Sequence, residues 1–169
     1  NAAELCASEC HVSREAQDEF AINSYKKAIT AQKKGDFSDE IVPVEIPQHK
    51  GEPLLVREDE EPGRADFEKM PTLRPVFNED GTVTAANASS INDGAAALLL
   101  MSAKKAAETG SRPLGRWVGS AVAGVDPGLM GYGPVPATEK LLKRLGLSLP
   151  DIGLIEINEA FAAQTIGVM

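Results

Sequence analysis

The stretch "DIGLIEINEAFAAQTIGVM" (151–169) changes character at its middle. Residues 151–158 form an apolar run of strand length, and residues 159–169 have the small and apolar composition of a packed helix. Asn158 and Glu159 stand where the two patterns meet. An amide side chain there either caps the helix or faces a cleft, and the spacing alone favours a cap.

The same alternation continues upstream of this junction. A strand-like segment begins at residue 81, and two apolar runs are each followed by a helix that ends at a glycine. These are strand 95–102 with helix 103–110, and strand 114–125 with helix 134–146. Alternating strands and helices predict an α/β fold. Because ligands in such folds bind beyond the carboxyl ends of the strands, the segments 86–90, 126–134 and 158–161 become the candidate site.

The N-terminal half is organised differently. Residues 13–34 predict one long helix, with Ser13 as its N-cap and Gly35 as its end. Residues 39–47 alternate like an edge strand, and residues 48–80 are a charged, proline-rich excursion with a short strand at 54–56. Loops of this length are usually functional or disordered. The mixed charges by themselves indicate a solvated surface.

Composition narrows the function. The chain has 169 residues and a net charge of −8, which argues against nucleic-acid binding. No apolar stretch approaches the roughly 20 residues of a membrane span, so no membrane partner is expected. Cys6, Cys10 and His11 suggest a metal site as one alternative, but two thiols on a buried helix face are the favoured interpretation. Both ends resemble the interior of a longer chain, so we interpret the sequence as a fragment.

Five segments together resemble the thiolase family, of the acetyl-CoA acetyltransferase type. They are "SREAQDEFAINSY", "DEIVPVEI", "GTVTAANASSINDGAAALLLMS", "GVDPGLMGYGPVPA" and "EINEAFAAQ", in the order of the family. The resemblance implies a five-layered αβαβα fold built of two similar halves. Residues 1–80 would hold the loop domain that covers coenzyme A, and residues 81–169 would open the C-terminal half.

The resemblance also implies a reaction. In thiolases a cysteine thiolate accepts an acyl group, and a second cysteine deprotonates acetyl-CoA for a Claisen condensation; the reverse reaction is thiolysis. Both cysteines and the catalytic histidine would lie outside this chain, because Cys6 and Cys10 match none of them. We therefore expect the isolated chain to be inactive. No cofactor would be required beyond the coenzyme A thioester that serves as substrate.

Individual residues take roles only through this resemblance. Asn158 matches the asparagine that holds a water in an oxyanion hole, where charge develops in the transition state. Ser89 matches the serine that binds the pantetheine arm, and Met130, Ala160 and Phe161 match residues around the acyl and pantetheine tunnel. The implied contacts on the nucleotide side are Tyr25, Arg64, Ala65, Asp66 and Lys69. The same subgroup binds potassium through positions that correspond to Tyr25, Ala85, Ala86 and Ala88.

Alternatives remain open at this stage. The segment "GVDPGLMGYGP" resembles the bacterial type more than the potassium-dependent one, so potassium is one of two interpretations. Among enzymes, a 3-ketoacyl-CoA thiolase of β-oxidation is the rival. A non-catalytic coenzyme A-binding thiolase relative is the alternative from a different functional class. The family also implies a homodimer or homotetramer. A cytoplasmic location is expected, or a mitochondrial or peroxisomal one in a eukaryote.

Overall fold

The computed structural model describes residues 2–169 and contains six α-helices and one small sheet in that range. The helices are α1 (Ala2–Glu9), α2 (Arg14–Lys34), α3 (Glu60–Gly63), α4 (Ala103–Thr109), α5 (Pro134–Leu145) and α6 (Ala162–Val168). Short 3₁₀ turns cover Met70–Thr72, Pro127–Tyr132 and Leu149–Asp151. Within the described range, no helix is both long and apolar enough to cross a membrane.

The long helix α2 confirms the prediction from its caps. The Ser13 hydroxyl accepts a hydrogen bond from Ala16 N, and Gly35 takes the left-handed conformation with φ of 75°. Gly35 N–H then bonds back to the last turn, so both helix ends are capped. Helices α4 and α5 end in the same way at Gly110 and Gly146, as the sequence predicts.

A two-stranded hairpin projects from the N-terminal half. Strand β1 (Val44–Ile46) pairs antiparallel with β2 (Leu54–Val56), and Val44 lies opposite Val56. Both strands were predicted, although β1 is shorter than the alternating stretch 39–47. Pro43 and Pro47 bracket the three residues of β1, and proline has no N–H to donate to a ladder.

Helix α1 lies in a tight cluster with α6 and the Pro127–Tyr132 turn. A Cβ added at Gly131 would stand 2.8 Å from Cγ of Gln164, and one at Gly167 would stand 2.7 Å from Sγ of Cys10. The two glycines therefore allow these backbones to approach closely. Cys6 is buried in this cluster and Cys10 is half-buried, which confirms the expected buried thiol face.

A carboxylate clasp fixes the segment that follows the hairpin. Glu4 on α1 accepts hydrogen bonds from the backbone N–H groups of Thr82 and Val83, at 2.9–3.0 Å. The Thr82 hydroxyl donates to the same carboxylate. Val83 and Thr84 are fully buried as a result. Charge-assisted bonds to backbone N–H groups are stronger than neutral ones, so this segment is held firmly on α1.

Four predicted strands do not form as hydrogen-bonded strands. The segments 95–102, 114–125 and 151–158, and the short strand from residue 81, have no ladder in the described chain. Most of their side chains are exposed, including Leu98 and Leu99 at 87% and 88%. A strand exists only through bonds to a neighbouring strand, and no described segment supplies that neighbour. The final helix also begins later than predicted, at Ala162 rather than residue 159.

Candidate functional site

Two adjoining cavities share the side chain of Tyr25 on α2. The larger one has a volume of about 420 Å³ and lies between α2, the loop after α3 and the turn at residues 85–86. It gathers most of the residues predicted for the nucleotide side. Its lining includes Tyr25, Arg64, Ala65, Asp66, Lys69, Ala85 and Ala86. Three stretches far apart in sequence are thus brought to one place.

The loop that lines the larger cavity is anchored to α2 by Arg14. Its guanidinium donates to the backbone carbonyls of Met70 and Leu73, at 3.3 and 3.0 Å. Gln32 near the end of α2 donates to the Asp59 carbonyl at 3.1 Å. Lys26 stands over the ring of Phe67 with its Nζ 5.6 Å from the centroid, a weak cation–π contact at an exposed site. These contacts set the position of the 59–73 loop on α2.

Charges of both signs line the larger cavity. Arg64 forms an ion pair of 2.7 Å with Glu60 and lies 3.7 Å from Glu61. All three side chains are more than half exposed, so these pairs contribute little to stability. Lys69 and Asp66 lie on the same wall. Arg64 and Lys69 are therefore accessible cations on a surface that a ligand can reach.

The smaller cavity has a volume of about 220 Å³ and a mostly uncharged lining. Ser89 and Ser90 lie on one side, and Ser24 and Tyr25 of α2 lie on the other. Glu159 closes one edge, and its carboxylate accepts a hydrogen bond of 2.5 Å from the Ser24 hydroxyl. The predicted pantetheine contact Ser89 is thus in a cavity next to the predicted nucleotide contacts.

The turn at residues 84–89 forms around the buried side chain of Asn87. Asn87 Oδ1 accepts from Thr84 N at 2.8 Å, and Nδ2 donates to Asp18 Oδ1 at 3.0 Å. The Asn87 carbonyl accepts from Ala162 N, the first residue of α6, and Ser89 N donates to the Ala160 carbonyl, both at 2.9 Å. Candidate segments 86–90 and 158–161 are therefore bonded directly to each other.

The other predicted site residues are Asn158, Ala160 and Phe161, in the segment bonded to the Asn87 turn, and Met130, on a separate turn. Asn158 and Ala160 are exposed, and Phe161 is half-buried with its ring 6.4 Å from Phe77 in an edge-to-face contact. The N-cap position of α6 is held by Phe161 without a side-chain bond, so the interpretation of Asn158 as a helix cap is wrong. Met130 is 68% exposed on the Pro127–Tyr132 turn, and it lines neither of the two cavities.

Tyr25 lines both cavities, and the pKa of its phenol is raised. Burial raises the pKa of its phenol, and the negative charge of Glu61 raises it further. Both effects disfavour the phenolate. Tyr25 therefore remains a neutral hydroxyl at physiological pH, able to donate one hydrogen bond and to offer its oxygen lone pairs.

Sequence profiles of known families match the chain in two parts. The family described as "Thiolase, N-terminal domain" matches residues 1–104, and "Thiolase, C-terminal domain" matches residues 111–169. The chain belongs to the thiolase family. The profile boundary falls after residue 104, whereas the change of organisation in the sequence falls at residue 80. The division into a loop domain 1–80 and a C-terminal part 81–169 stays a prediction.

Two relatives of this thiolase chain come from Staphylococcus aureus. A protein of Staphylococcus aureus strain COL described as "Probable acetyl-CoA acyltransferase" is 53% identical over 167 residues, which is 98% of this chain and 42% of the relative. The homologue of strain MSSA476 is 55% identical over 158 residues, 93% of this chain and 40% of the relative. The thiolase chain thus spans about two fifths of these relatives.

Solved structures confirm the thiolase fold class. The acetyl-CoA acetyltransferase of Bacillus anthracis is 47% identical and superposes with a TM-score of 0.92, over 99% of this chain and 42% of that one. The enzyme of Syntrophomonas wolfei is 42% identical with a TM-score of 0.87 and the same coverage. The predicted α/β class is therefore correct, even though several thiolase strands lack partners in this chain.

Sequence reasoning assigned no role to four residues of the site in this thiolase chain. They are Ser24, Glu61, Asn87 and Glu159, which line the cavities or bond to residues that do. Three of them stand beside residues that were singled out, namely Tyr25, Ala88 and Asn158. The candidate segments 86–90 and 158–161 already contained Asn87 and Glu159. Periodicity and spacing gave no signal for Ser24 and Glu61, because their place at the site depends on contacts across most of the chain.

The cysteine-rich start of the thiolase chain forms no metal cluster. Across residues 2–169, no three His, Cys, Asp or Glu side chains come together in a way that could hold a metal ion. Burial raises the pKa of the Cys6 thiol, and Cys10 raises it further. A raised pKa leaves less thiolate, which is the reactive and metal-binding form.

Proposed function

We propose that the chain supplies the coenzyme A-binding surface and the oxyanion-hole asparagine of an acetyl-CoA acetyltransferase. The reaction would condense two acetyl-CoA molecules to acetoacetyl-CoA and coenzyme A, or run in reverse as thiolysis. The observation that carries this proposal is the larger cavity, where Tyr25 of α2 meets Arg64 and Lys69 of the 59–73 loop. The names of the bacterial relatives support the same chemistry.

The charge pattern of the two cavities suits the two parts of coenzyme A. Arg64 and Lys69 line the larger cavity; a guanidinium plane can stack on adenine, and an ammonium can meet a phosphate. The smaller cavity presents hydroxyls from Ser24 and Ser89, which can bond the amides of a pantetheine arm. In this arrangement the nucleotide occupies the larger cavity and the arm passes through the smaller one.

Asn158 would act on the reacting thioester rather than on the nucleotide. It is exposed and uncommitted to the helix cap, so its amide can hold a water that donates to the developing enolate oxygen. The cysteine nucleophile, the second cysteine and the histidine of this reaction are proposed to come from the parts of a thiolase that this chain does not match.

The turn at residues 85–88 also fits a monovalent cation. Ala85 and Ala86 line the larger cavity with Tyr25 and the carboxylate of Glu61. Ala88 lies opposite Phe161 in a β-bridge whose two hydrogen bonds are made by the neighbouring residues Asn87 and Ser89. The N–H and carbonyl of Ala88 therefore point away from Phe161. Hard cations prefer carbonyl and carboxylate oxygens. Bound potassium would be held by Tyr25 and the carbonyls of Ala85, Ala86 and Ala88, and would stiffen the turn that carries Ser89.

Binding can be tested on the chain itself by calorimetry with coenzyme A and with pantetheine. We expect Lys69→Gln to weaken coenzyme A binding about tenfold, or ~1.4 kcal/mol, and to leave pantetheine binding unchanged, because pantetheine has no nucleotide. Lys104→Gln is the matched control, since Lys104 is an exposed lysine of α4 that lines neither cavity. Equal weakening by both variants, or a loss with pantetheine too, would contradict the placement.

Turnover can be tested in a chimera, with this chain in place of the matched segment of the Bacillus anthracis enzyme. We expect thiolysis of acetoacetyl-CoA, and a loss of about 10²–10³ in kcat for Asn158→Ala with little change in KM, as for other oxyanion-hole donors. An unchanged kcat with a raised KM would reduce Asn158 to a binding group. The rate ratio between acetoacetyl-CoA and a long 3-ketoacyl-CoA in the same chimera tests the alternative β-oxidation activity.

The proposal also covers the oligomeric state and the location of the whole enzyme. Homodimers or homotetramers are expected for the whole enzyme, and a cytoplasmic location agrees with the bacterial origin of the relatives. Light scattering of the chimera would give the oligomeric state.

A further inference from the structure

The two segments that carry Ser89 and Asn158 are joined through one buried amide. Asn87 is 3% exposed, and every polar atom of its side chain is bonded. Its Oδ1 accepts from Thr84 N, and its Nδ2 donates to Asp18 Oδ1 and to the Thr82 carbonyl. An amide with both ends satisfied in a buried site has a single orientation.

That orientation determines where the Asn87 backbone stands. The Asn87 carbonyl accepts from Ala162 N, and the neighbouring Ser89 N–H donates to the Ala160 carbonyl. These two bonds flank the bridge between Ala88 and Phe161. The 158–162 segment thus has its backbone attached on the C-terminal side of Asn158 to the turn that Asn87 forms.

The other end of the network is equally well defined. Asp18 is 5% exposed and accepts from Arg14 Nε at 2.7 Å through its second oxygen. Arg14 in turn holds the carbonyls of Met70 and Leu73, two residues that line the larger cavity. Asn87 therefore bonds a charged pair on α2 that is itself tied to the cavity wall.

We infer that Asn87 is a positioning residue, which sets the distance between the Ser89 side of the smaller cavity and Asn158. The inference rests on the proposed thiolase function for its consequence in catalysis. Asn87 lines the smaller cavity, but the polar atoms of its side chain are all bonded within the chain, so it would act through the two segments that it joins. A displacement of about 1 Å in such a segment can lower turnover by roughly a hundredfold.

The geometric part can be measured on the chain alone by amide hydrogen exchange. We expect Asn87→Ala to speed exchange at the Ala162 and Ser89 amides at least tenfold. Gln17→Met is the matched control, because Gln17 is fully buried in the same network but bonds Thr82 and Val12 instead. Unchanged exchange at both amides in Asn87→Ala, or equal acceleration by both variants, would overturn the inference.

The catalytic part uses a double-mutant cycle in the chimera. Asn87→Ala should lower kcat ten- to a hundredfold in the parent, and less than about twofold when Asn158 is already alanine. Fully additive losses would show a general structural role and overturn the inference. An inactive parent chimera would instead defeat the proposed function, and the exchange experiment would still decide the positioning.

A second substitution guards against misfolding of Asn87→Ala. Asp18→Asn keeps the shape of the side chain and one acceptor oxygen for Asn87 Nδ2, while it removes the charge and the acceptor for Arg14 Nε. A smaller loss in kcat with the same dependence on Asn158 is therefore expected. An Asp18→Asn chimera with parental kcat and parental exchange at Ala162 would count against the inference.

Discussion

At the scale of single residues, Tyr25 connects local chemistry to the site. It lies between the two cavities, and both burial and Glu61 raise the pKa of its phenol. Since the folded-state pKa is the higher one, the folded chain keeps the proton where the unfolded chain has lost it. The contribution of Tyr25 to stability is thus full below the unfolded pKa of about 10 and falls as pH rises through the folded value.

This shift is accessible by absorbance titration. The chain has two tyrosines, so Tyr132→Phe leaves Tyr25 as the single ionising phenol. We expect its midpoint above the ordinary value of about 10 and a lower midpoint after Glu61→Gln. An unchanged midpoint in Glu61→Gln would show that burial alone raises the pKa of Tyr25.

Several residues that line the larger cavity could be named from the sequence, but the residues that surround them could not. Tyr25, Arg64 and Lys69 were named through the resemblance, and the structure gathers them in one cavity. Glu61 lies in the charged 48–80 excursion, whose mixed charges indicate a solvated surface, and a charged segment alone does not reveal which member faces a cavity. Ser24 and Glu159 bond across 135 positions, a separation that no local pattern reports.

At the scale of elements, helices were predicted because their signals are local. Ser13, Gly35, Gly110 and Gly146 are helix caps that act within a turn of their own helix. Strands depend instead on a partner elsewhere. The runs 95–102 and 114–125 have strand composition, but the chain spans only 42% of its Bacillus relative, and the described residues contain no strand to pair with them.

Run 114–125 is held by helix α5 instead. Lys140 and Arg144 of α5 donate to the carbonyls of Val122 and Ser120, at 3.1 and 2.9 Å. Gly119 faces Leu141 of the same helix, where an added Cβ would stand 3.3 Å from Cδ1. Run 114–125 thus packs against the helix that the sequence predicts after it, although the run forms no hydrogen-bonded ladder with another strand.

The docking of α1 on the 82–83 segment gives a prediction at this scale. A Cβ at Gly81 would overlap the Glu4 carboxylate that holds Thr82 and Val83. We expect Gly81→Ala to lower the free energy of unfolding by about 1–3 kcal/mol, the range for overpacking and for unpaired buried groups. Chemical denaturation measures it. Gly115→Ala is the control, because nothing lies within 4 Å of its added Cβ; equal losses would disprove the overlap.

At the scale of the whole molecule, apolar side chains are unevenly distributed. The buried core is built around α1 and α6 with small residues such as Ala3, Cys6 and Ala163, whereas Leu98, Leu99 and Trp117 are 87%, 88% and 71% exposed. Two adjacent leucines with this exposure indicate an interaction face. The composition could not reveal it, because burial depends on what the remainder of a thiolase places against these runs.

This distribution predicts strong binding of an apolar fluorescent dye. We expect the isolated chain to enhance dye fluorescence, and Leu99→Lys to reduce the enhancement. The chimera should show much less, since the segments of the Bacillus enzyme would cover the same runs. Leu147→Lys is the control, a less exposed leucine at 41% just after α5. Equal enhancement by chain and chimera would mean that the runs stay uncovered.

The amide network around Asn87 also implies an order of assembly during synthesis. Asp18 leaves the ribosome 69 positions before Asn87, so the turn can settle on a helix that already exists. Ala162 N–H arrives much later and bonds a carbonyl that is by then in place. Before Ala162 is made, water can hydrogen-bond to the Asn87 carbonyl. The side-chain bonds of the Asn87 turn can therefore form before the segment with Asn158 emerges, and that segment then adds the two backbone bonds from Ala162 N and to the Ala160 carbonyl.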